Sequence, residues 1–183
     1  MLYTRAGDTG TTRTFSCDQR ISKSSAIAEA LGSLDEINSL IGLCKVASGK
    51  IKMTAAERLV EHLLHEVQEN LFIIQAELAG ADKSISKEKV GEVERIVDAI
   101  EKDLPPITTF FISGGTELAA LFDVARTIAR RAERRVVAVV EEGKVKVSPL
   151  TLSYLNRLSS LLYAFARYAN HFAGVSEDSP SYE

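Results

Sequence analysis

From residue 24 to residue 173 the chain carries long apolar runs at helical spacing that no proline interrupts. The four prolines are Pro105, Pro106, Pro149 and Pro180, and none breaks the interior of a run. Long helices are therefore permitted between them. The first run spans about Ser24 to Ala47, with Ile27, Leu31, Leu34, Ile41 and Cys44 at steps of three, four and seven. The second spans about Thr54 to Ala79 through Val60, Leu63, Val67, Leu71, Ile74 and Leu78, with Thr54 and Glu57 spaced as a capping box at its start. The third spans about Ser86 to Asp103 through Val90, Val93, Val97 and Ile100. The fourth spans about Thr116 to Val140, and the fifth about Ser148 to Ala173, with Leu155, Leu158, Leu162 and Phe165. These steps place apolar residues on one face of a 3.6-residue repeat. Strand patterns are almost absent. Val136 to Val140 would suit a strand alone, but it continues the fourth pattern, and length favours helix. The sequence predicts an all-α chain, a bundle of about five helices.

The chain's 183 residues suit one domain. Residues 1–23 read as a loop segment, 24–173 as the bundle, and 174–183 as a small, polar, acidic tail expected to be mobile. The 22 basic and 25 acidic residues leave a net charge of −3. So small an imbalance excludes a general attraction to nucleic acid or to an anionic membrane, and any polyanion site must be a local cluster of Arg and Lys. Cys17 and Cys44 cannot build a disulfide framework, which favours a reducing, cytoplasmic setting. No apolar run approaches the roughly 18 residues of a bilayer span. Met1 to Gly10 lacks the apolar stretch of a signal peptide.

Two segments concentrate phosphate-binding chemistry. In the first, Tyr3-Thr-Arg-Ala-Gly-Asp-Thr-Gly-Thr-Thr-Arg13, Gly7 and Gly10 let consecutive backbone N–H groups turn toward an anion. Thr11 and Thr12 add hydroxyls; Arg5, Arg13 and Lys23 add charge. Asp8 would hold a metal-bound water or close the turn, and the whole segment is either a phosphate nest or a plain turn. It is neither a Walker loop nor a dinucleotide fingerprint. The second segment is Arg126-Thr-Ile-Ala-Arg-Arg-Ala-Glu-Arg-Arg135 on the fourth helix. At about 100° per residue, Arg126, Arg130, Glu133 and Arg134 share one face, away from Leu118, Leu121, Ala125, Ala132 and Val136. Arg131 and Arg135 project elsewhere. Three guanidinium groups on one face repel unless an anion compensates, and Glu133 offsets only part of their charge. A polyphosphate would supply the rest, since Arg forks match phosphate oxygens. A solvated basic face is the alternative.

Two further segments are less decisive. Tyr154-Leu-Asn-Arg-Leu-Ser-Ser160 sets Asn156 and Arg157 beside an apolar stripe. Asn156 there caps a neighbour or binds base, ribose or phosphate. In Phe110-Phe-Ile-Ser-Gly-Gly-Thr116 a Gly-Gly turn opens the fourth helix with Thr116 as cap. Its aromatic residues are core, or the wall of a large flat ligand site. Protein-held metal has little support. His62, His65 and His171 fall in neither the Glu-x-x-His pattern of di-iron bundles nor His-Glu-x-x-His. No serine sits in a nucleophile elbow.

Taken together, these segments resemble the PduO-type ATP:cob(I)alamin adenosyltransferases, over residues 3 to about 170. The resemblance is an ordered series: Tyr3 to Gly10, Lys23, Glu29 to Ser39, Gln68 to Phe72, Phe110 to Gly115, Ala125 to Arg134 and Tyr154 to Ser159. It implies a five-helix bundle that assembles as a homotrimer, with ATP between neighbouring subunits. It implies transfer of the 5′-deoxyadenosyl group of ATP to the cobalt of cob(I)alamin, releasing triphosphate, with Mg2+. By position, the implied ATP set is Thr4, Arg5, Ala6, Gly7, Thr12, Arg13, Lys23, Arg130, Arg131, Ala132, Glu133, Arg134 and Asn156. Asp35 and Arg126 match a pair that joins subunits beside the site, and Phe110 matches the aromatic that crowds the lower corrin face and helps remove the lower axial ligand. A corrinoid reductase and a cobalamin-dependent client enzyme are the further partners such an activity would need. Ser113 stands where the family usually has Pro, and Ser160 where Asp commonly follows Asn-Arg-Leu-Ser. Both departures bear on the corrin side more than on nucleotide binding. Two rival readings share the composition: a non-catalytic ATP-binding bundle that senses nucleotide or carries adenosylcobalamin, and a structural helical protein whose arginine face binds a partner.

Overall fold

The computed structural model describes residues 3–14 and 20–182. Five helices form: α1 (Ala26–Lys50), α2 (Val60–Leu78), α3 (Lys87–Asp103), α4 (Glu117–Glu141) and α5 (Pro149–Phe172). The starts of α1, α4 and α5 are fixed by side chains. The Ser25 hydroxyl accepts from Ala28 N at 3.4 Å, and the Thr116 hydroxyl from Ala119 N at 3.1 Å. Ser148 accepts from Leu150 N at 3.2 Å, with Pro149 at the first position, where a missing N–H costs nothing.

The second helix begins later than its apolar pattern does. Thr54 and Glu57 are not a capping box; they belong to a short hairpin, Thr54–Ala55 paired antiparallel with Arg58–Leu59. Ala56 and Glu57 turn it with φ of 50° and 59°. Buried Met53 and Ala55 hold the hairpin against the core, and Val60 N donates to Met53 O at 2.9 Å. Tertiary burial has overridden a local helix-start signal. A second short hairpin, Thr11–Arg13 with Arg20–Ser22, was likewise silent in the hydrophobic pattern. At three residues a strand is too short to show alternation.

Neighbouring helices run antiparallel around α4. On one flank Arg131 pairs with Glu36, and Arg135 lies 4.0 Å from Glu29, which aligns α1. On the other flank Asn156 meets Glu133, and Asn170 meets Thr116 N, which aligns α5. The inner face of α4 is made of Ala119, Phe122, Ala125, Ala129, Ala132, Val136 and Val139, all buried. Four of these seven are alanine, which lets the neighbouring backbones approach closely. Phe122 and Phe165 fill the α4–α5 seam with ring centroids 5.3 Å apart. Cys44 is fully buried, and burial pushes its thiol up to about 12, so it packs as a small hydrophobe. Cys17 lies outside the described residues.

Buried polar groups are paired across helices. Asn70 Nδ2 donates to the Tyr154 hydroxyl at 3.1 Å, and burial raises that phenol well above its ordinary range. The Glu77 carboxylate of α2 accepts from Ser148 N at 2.7 Å and from the Thr151 hydroxyl. It thereby fastens the start of α5. Residues 174–178, expected to be a mobile tail, run back along the bundle: Val175 N donates to Asn170 O at 2.9 Å and Ile112 N to Asp178 O at 2.8 Å. Among the described residues no helix is long and apolar enough to cross a membrane.

Glu77→Ala strands the Ser148 N–H and the Thr151 hydroxyl without their acceptor. Urea denaturation is expected to show a loss of about 2–3 kcal/mol with an unchanged slope, the size expected for orphaned donors of a charged acceptor. An unchanged midpoint would remove Glu77 from the account of α5.

Candidate functional site

Because Ala125, Ala129 and Ala132 face the core, the arginines between them are turned outward. They divide between two flanks. Arg131 pairs with Glu36 and Arg135 approaches Glu29, both toward α1. Arg130 and Arg134 face α5 and have no hydrogen-bond or ion-pair partner among the described residues. Arg126, half-buried, has its Nε 3.3 Å from Asp123 and its guanidinium 5.8 Å from the centre of the Tyr163 ring. Ala132, carried into the ATP set by position, is fully buried, so only its neighbours reach a surface.

Two hollows meet at Arg130. The smaller, about 280 Å³, is lined by Arg130, Glu133, Arg134, Val137 and Asn156. Asn156 is held on both sides of its amide: Nδ2 donates to Glu133 at 3.0 Å, and Oδ1 accepts from Arg157 at 2.8 Å. Arg157 in turn donates to Glu94 of α3 at 2.9 Å. Glu94 and Arg157 orient Asn156 and were not singled out from the sequence as doing so. Their signal was weak, since a lone charge on α3 says nothing of its partner on α5. The larger hollow, about 610 Å³, lies between Arg126 and Arg130 on one side and residues 107–111 on the other, floored by Ser159, Ser160 and Tyr163. Phe110 is 77% exposed on its rim, which excludes it from the core.

The N-terminal segment forms its own compact unit. Asp8 N donates to Arg5 O and Gly10 N to Gly7 O, each at 3.2 Å, so two turns follow in succession. Arg5 sits in the left-handed region at φ 58°, a conformation that costs a non-glycine residue energy and recurs at ligand clamps. A Cβ at Gly7 would come within 3.1 Å of Lys23 Nζ; glycine there lets the ammonium lie against the loop. Arg20, which the sequence reading passed over, ties the unit together. Its Nε donates to the Thr11 hydroxyl at 2.7 Å and its Nη2 to Thr11 O at 2.8 Å and to Ala6 O. Only the hairpin register, which sets Arg13 opposite Arg20, reveals it.

Thr4, Arg5, Ala6, Gly7, Thr12, Arg13 and Lys23 are thus gathered in one unit, and Arg130, Glu133, Arg134 and Asn156 in another. No described hydrogen bond or ion pair joins the two within the chain. The first unit leads into the start of α1, on the flank of α4 away from α5. Asp35 is exposed on α1 without a partner among the described residues, and Arg126 pairs within its own helix instead. Among the described residues, no three His, Cys, Asp or Glu side chains gather into a metal site.

The site is that of a five-helix bundle whose Arg130 and Arg134, unpaired among the described residues, stand between a polar hollow and an aromatic-rimmed one. The cobalamin adenosyltransferase family model matches residues 2–169, and the chain belongs to that family. It is 38% identical over 179 residues to the corrinoid adenosyltransferase PduO of Citrobacter freundii, covering 94% of this chain and 50% of that protein. The chain thus spans about half the length of that relative. It is 35% identical over 180 residues to a corrinoid adenosyltransferase of Bacillus subtilis, covering 96% of this chain and 90% of that one. Among solved structures, a variant PduO-type ATP:corrinoid adenosyltransferase from Lactobacillus reuteri, complexed with cobalamin and ATP, superposes with a TM-score of 0.87. It is 30% identical and covers 99% of both chains.

The flank assignment has a direct consequence for anion binding. By calorimetry with inorganic triphosphate, Arg130→Ala and Arg134→Ala are each expected to weaken binding about tenfold or more, the value of a lost charge-assisted bond. Arg131→Ala should stay within about twofold, because its guanidinium is engaged by Glu36. Equal losses at all three positions would mean a diffuse basic surface.

Proposed function

We propose that the protein transfers the 5′-deoxyadenosyl group of ATP to the cobalt of cob(I)alamin, releasing triphosphate. The observation that carries this reading is the position of Arg130, which lines both hollows. A phosphate tail held by Arg130, Arg134 and Asn156 leaves its sugar end directed at the aromatic-walled hollow, where a corrin would lie. The family membership and the ATP and cobalamin of the Lactobacillus reuteri complex support the same pairing of ligands.

In this reaction the nucleophile is the substrate's own cobalt. Its electron pair forms the Co–C5′ bond, the C5′–O5′ bond breaks, and that pair stays on the departing triphosphate oxygen. The protein therefore needs to align the two substrates, stabilise the leaving oxygen and exclude water from a strongly reducing metal. Arg130 and Arg134 supply fixed positive charge where negative charge grows. Glu133 keeps Asn156 in place through its 3.0 Å hydrogen bond. Phe110, exposed on the rim, would occupy the lower corrin face and displace the axial ligand. Mg2+ suits this donor set as an ion carried on phosphate oxygens, with Glu133 the carboxylate lining the smaller hollow, since such ions usually take one or two protein carboxylates. When bound it would neutralise phosphate charge.

The separation of the N-terminal unit from the arginine face supports a site shared between copies. Asp35 is exposed on α1 without a partner among the described residues, while Arg126 lines the hollow on the α5 side of α4, which supports a pair made between two chains. Leu43, Val46 and Val124 are exposed apolar residues available for such an interface. A homotrimer with three shared sites is the assembly proposed, and sedimentation should give three times the chain mass. A monomer that retains full activity would rule out shared sites.

Incubation with ATP, Mg2+ and chemically reduced cobalamin tests the reaction itself. The absorption spectrum should convert to that of adenosylcobalamin. ATP binding without conversion would favour a nucleotide sensor or a carrier. In the same assay Phe110→Ala should lower kcat by about 10²-fold or more while the KM for ATP moves less than about threefold, as for an interaction made at the reacting centre. Equal losses in both would make Phe110 structural.

A further inference from the structure

One buried cation takes no part in the site described above. Arg167 of α5 is 4% exposed, and removing a guanidinium from water is costly unless its partners are well placed. Its Nε donates to Glu177 at 2.9 Å, its Nη2 donates to Pro105 O at 3.1 Å, and its guanidinium lies 4.9 Å from the centre of the Phe111 ring. None of these partners belongs to a helix. Pro105 and Phe111 lie in the loop between α3 and α4, and Glu177 lies in the segment after α5. An arginine serving only the bundle would find its partners on the bundle.

The loop is tied at further points, once to the segment after α5 and once to α5 itself. Ile112 N donates to Asp178 O at 2.8 Å, and Asn170 Nδ2 donates to Gly114 O at 2.9 Å. Between the anchors at Pro105 and at Phe111–Ile112, residues 107–110 are exposed and line the larger hollow. Phe111 touches both sides of the arrangement. It lines the larger hollow and also a 40 Å³ cavity shared with Arg167 and Glu177. Adjacent aromatics thus have opposite fates: Phe111 is seated under the guanidinium, and Phe110 is left facing outward.

We propose that Arg167 is a positioning residue for the reaction: clamped by Glu177, it seats Phe111 and Pro105 and thereby holds Phe110 in place at the larger hollow. This rests on the reading of that hollow as the corrin site. The clamp acts on the corrin side alone, because none of its groups lines the hollow of Glu133, Arg134 and Asn156. Losing it should therefore harm turnover and spare ATP binding.

The test uses the full chain as Glu177→Ala, and as Arg167→Met, which keeps an apolar stem and removes both donors. Without substrates, backbone amides of residues 107–112 should exchange hydrogen about tenfold faster or more than in the unaltered protein, while α4 and α5 keep their protection. With substrates, kcat should fall about tenfold and the KM for ATP should stay within about twofold. Unchanged exchange in the loop overturns the clamp. Faster exchange with unchanged kcat overturns its role in the reaction, and so does a matching rise in the KM for ATP. Loss of protection throughout the helices in both variants would make Arg167 a bundle residue and overturn the proposal. If the unaltered protein makes no adenosylcobalamin, the corrin reading fails, and the exchange measurement still decides whether the clamp exists.

Discussion

The packing of α4 sets the terms for everything around it. Its inner face is small enough, with Ala119, Ala125, Ala129 and Ala132 buried, to sit tightly between α1 and α5. A helix so wedged cannot rotate to bury a guanidinium, because each arginine that turned inward would displace close-packed backbone. The arginines of 126–135 must therefore be dealt with outside the core. Those toward α1 meet Glu36 and Glu29. Toward α5, Arg126 meets Asp123 of its own helix, while Arg130 and Arg134 meet no carboxylate among the described residues, Glu133 being committed to Asn156. The result is a local field of positive charge on a chain whose net charge is −3.

That field gains meaning from what borders it. One hollow offers Asn156, Glu133 and Arg134; the other offers an aromatic rim and a floor of Ser159, Ser160 and Tyr163. Under the proposed reading, these divide the work between a nucleotide's phosphates and a flat macrocycle. A reaction whose nucleophile arrives with the substrate asks the protein for alignment and charge, not for an activated side chain. Fixed dipoles and guanidinium groups in a partly enclosed site serve that purpose well. The loop after α3 is held from below by Arg167 and Asn170, while its exposed residues face the larger hollow.

Much of this was legible in the residues. The helices followed from apolar spacing, and Thr116 marked the start of the fourth because capping is local chemistry. The outward face of Arg126, Arg130, Glu133 and Arg134 followed from helical angle alone. The start of α2 was misread because Thr54 and Glu57 satisfy a capping pattern at the level of four residues, whereas burial of Met53 and Ala55 is settled by distant helices. Arg20 escaped notice because its value lies in a hairpin register. The pairing of Arg157 with Glu94 escaped because it crosses 63 residues of chain. Ala132 entered the ATP set through its neighbours in a motif, and packing places it in the core instead.

By itself, the sequence determined the five helices, the charge stripe on the fourth and the glycine-rich character of the first loop. Each depends on interactions between residues a few positions apart, and the repeat of the backbone fixes those. Only the tertiary structure decided which arginines are neutralised, that Arg130 stands between two hollows, that Phe110 faces outward while Phe111 is seated, and that the segment after α5 returns to grip the loop. Those outcomes depend on which surfaces meet once the bundle closes. Pairing and burial between remote segments are set by the collective packing of the core, which no local pattern encodes.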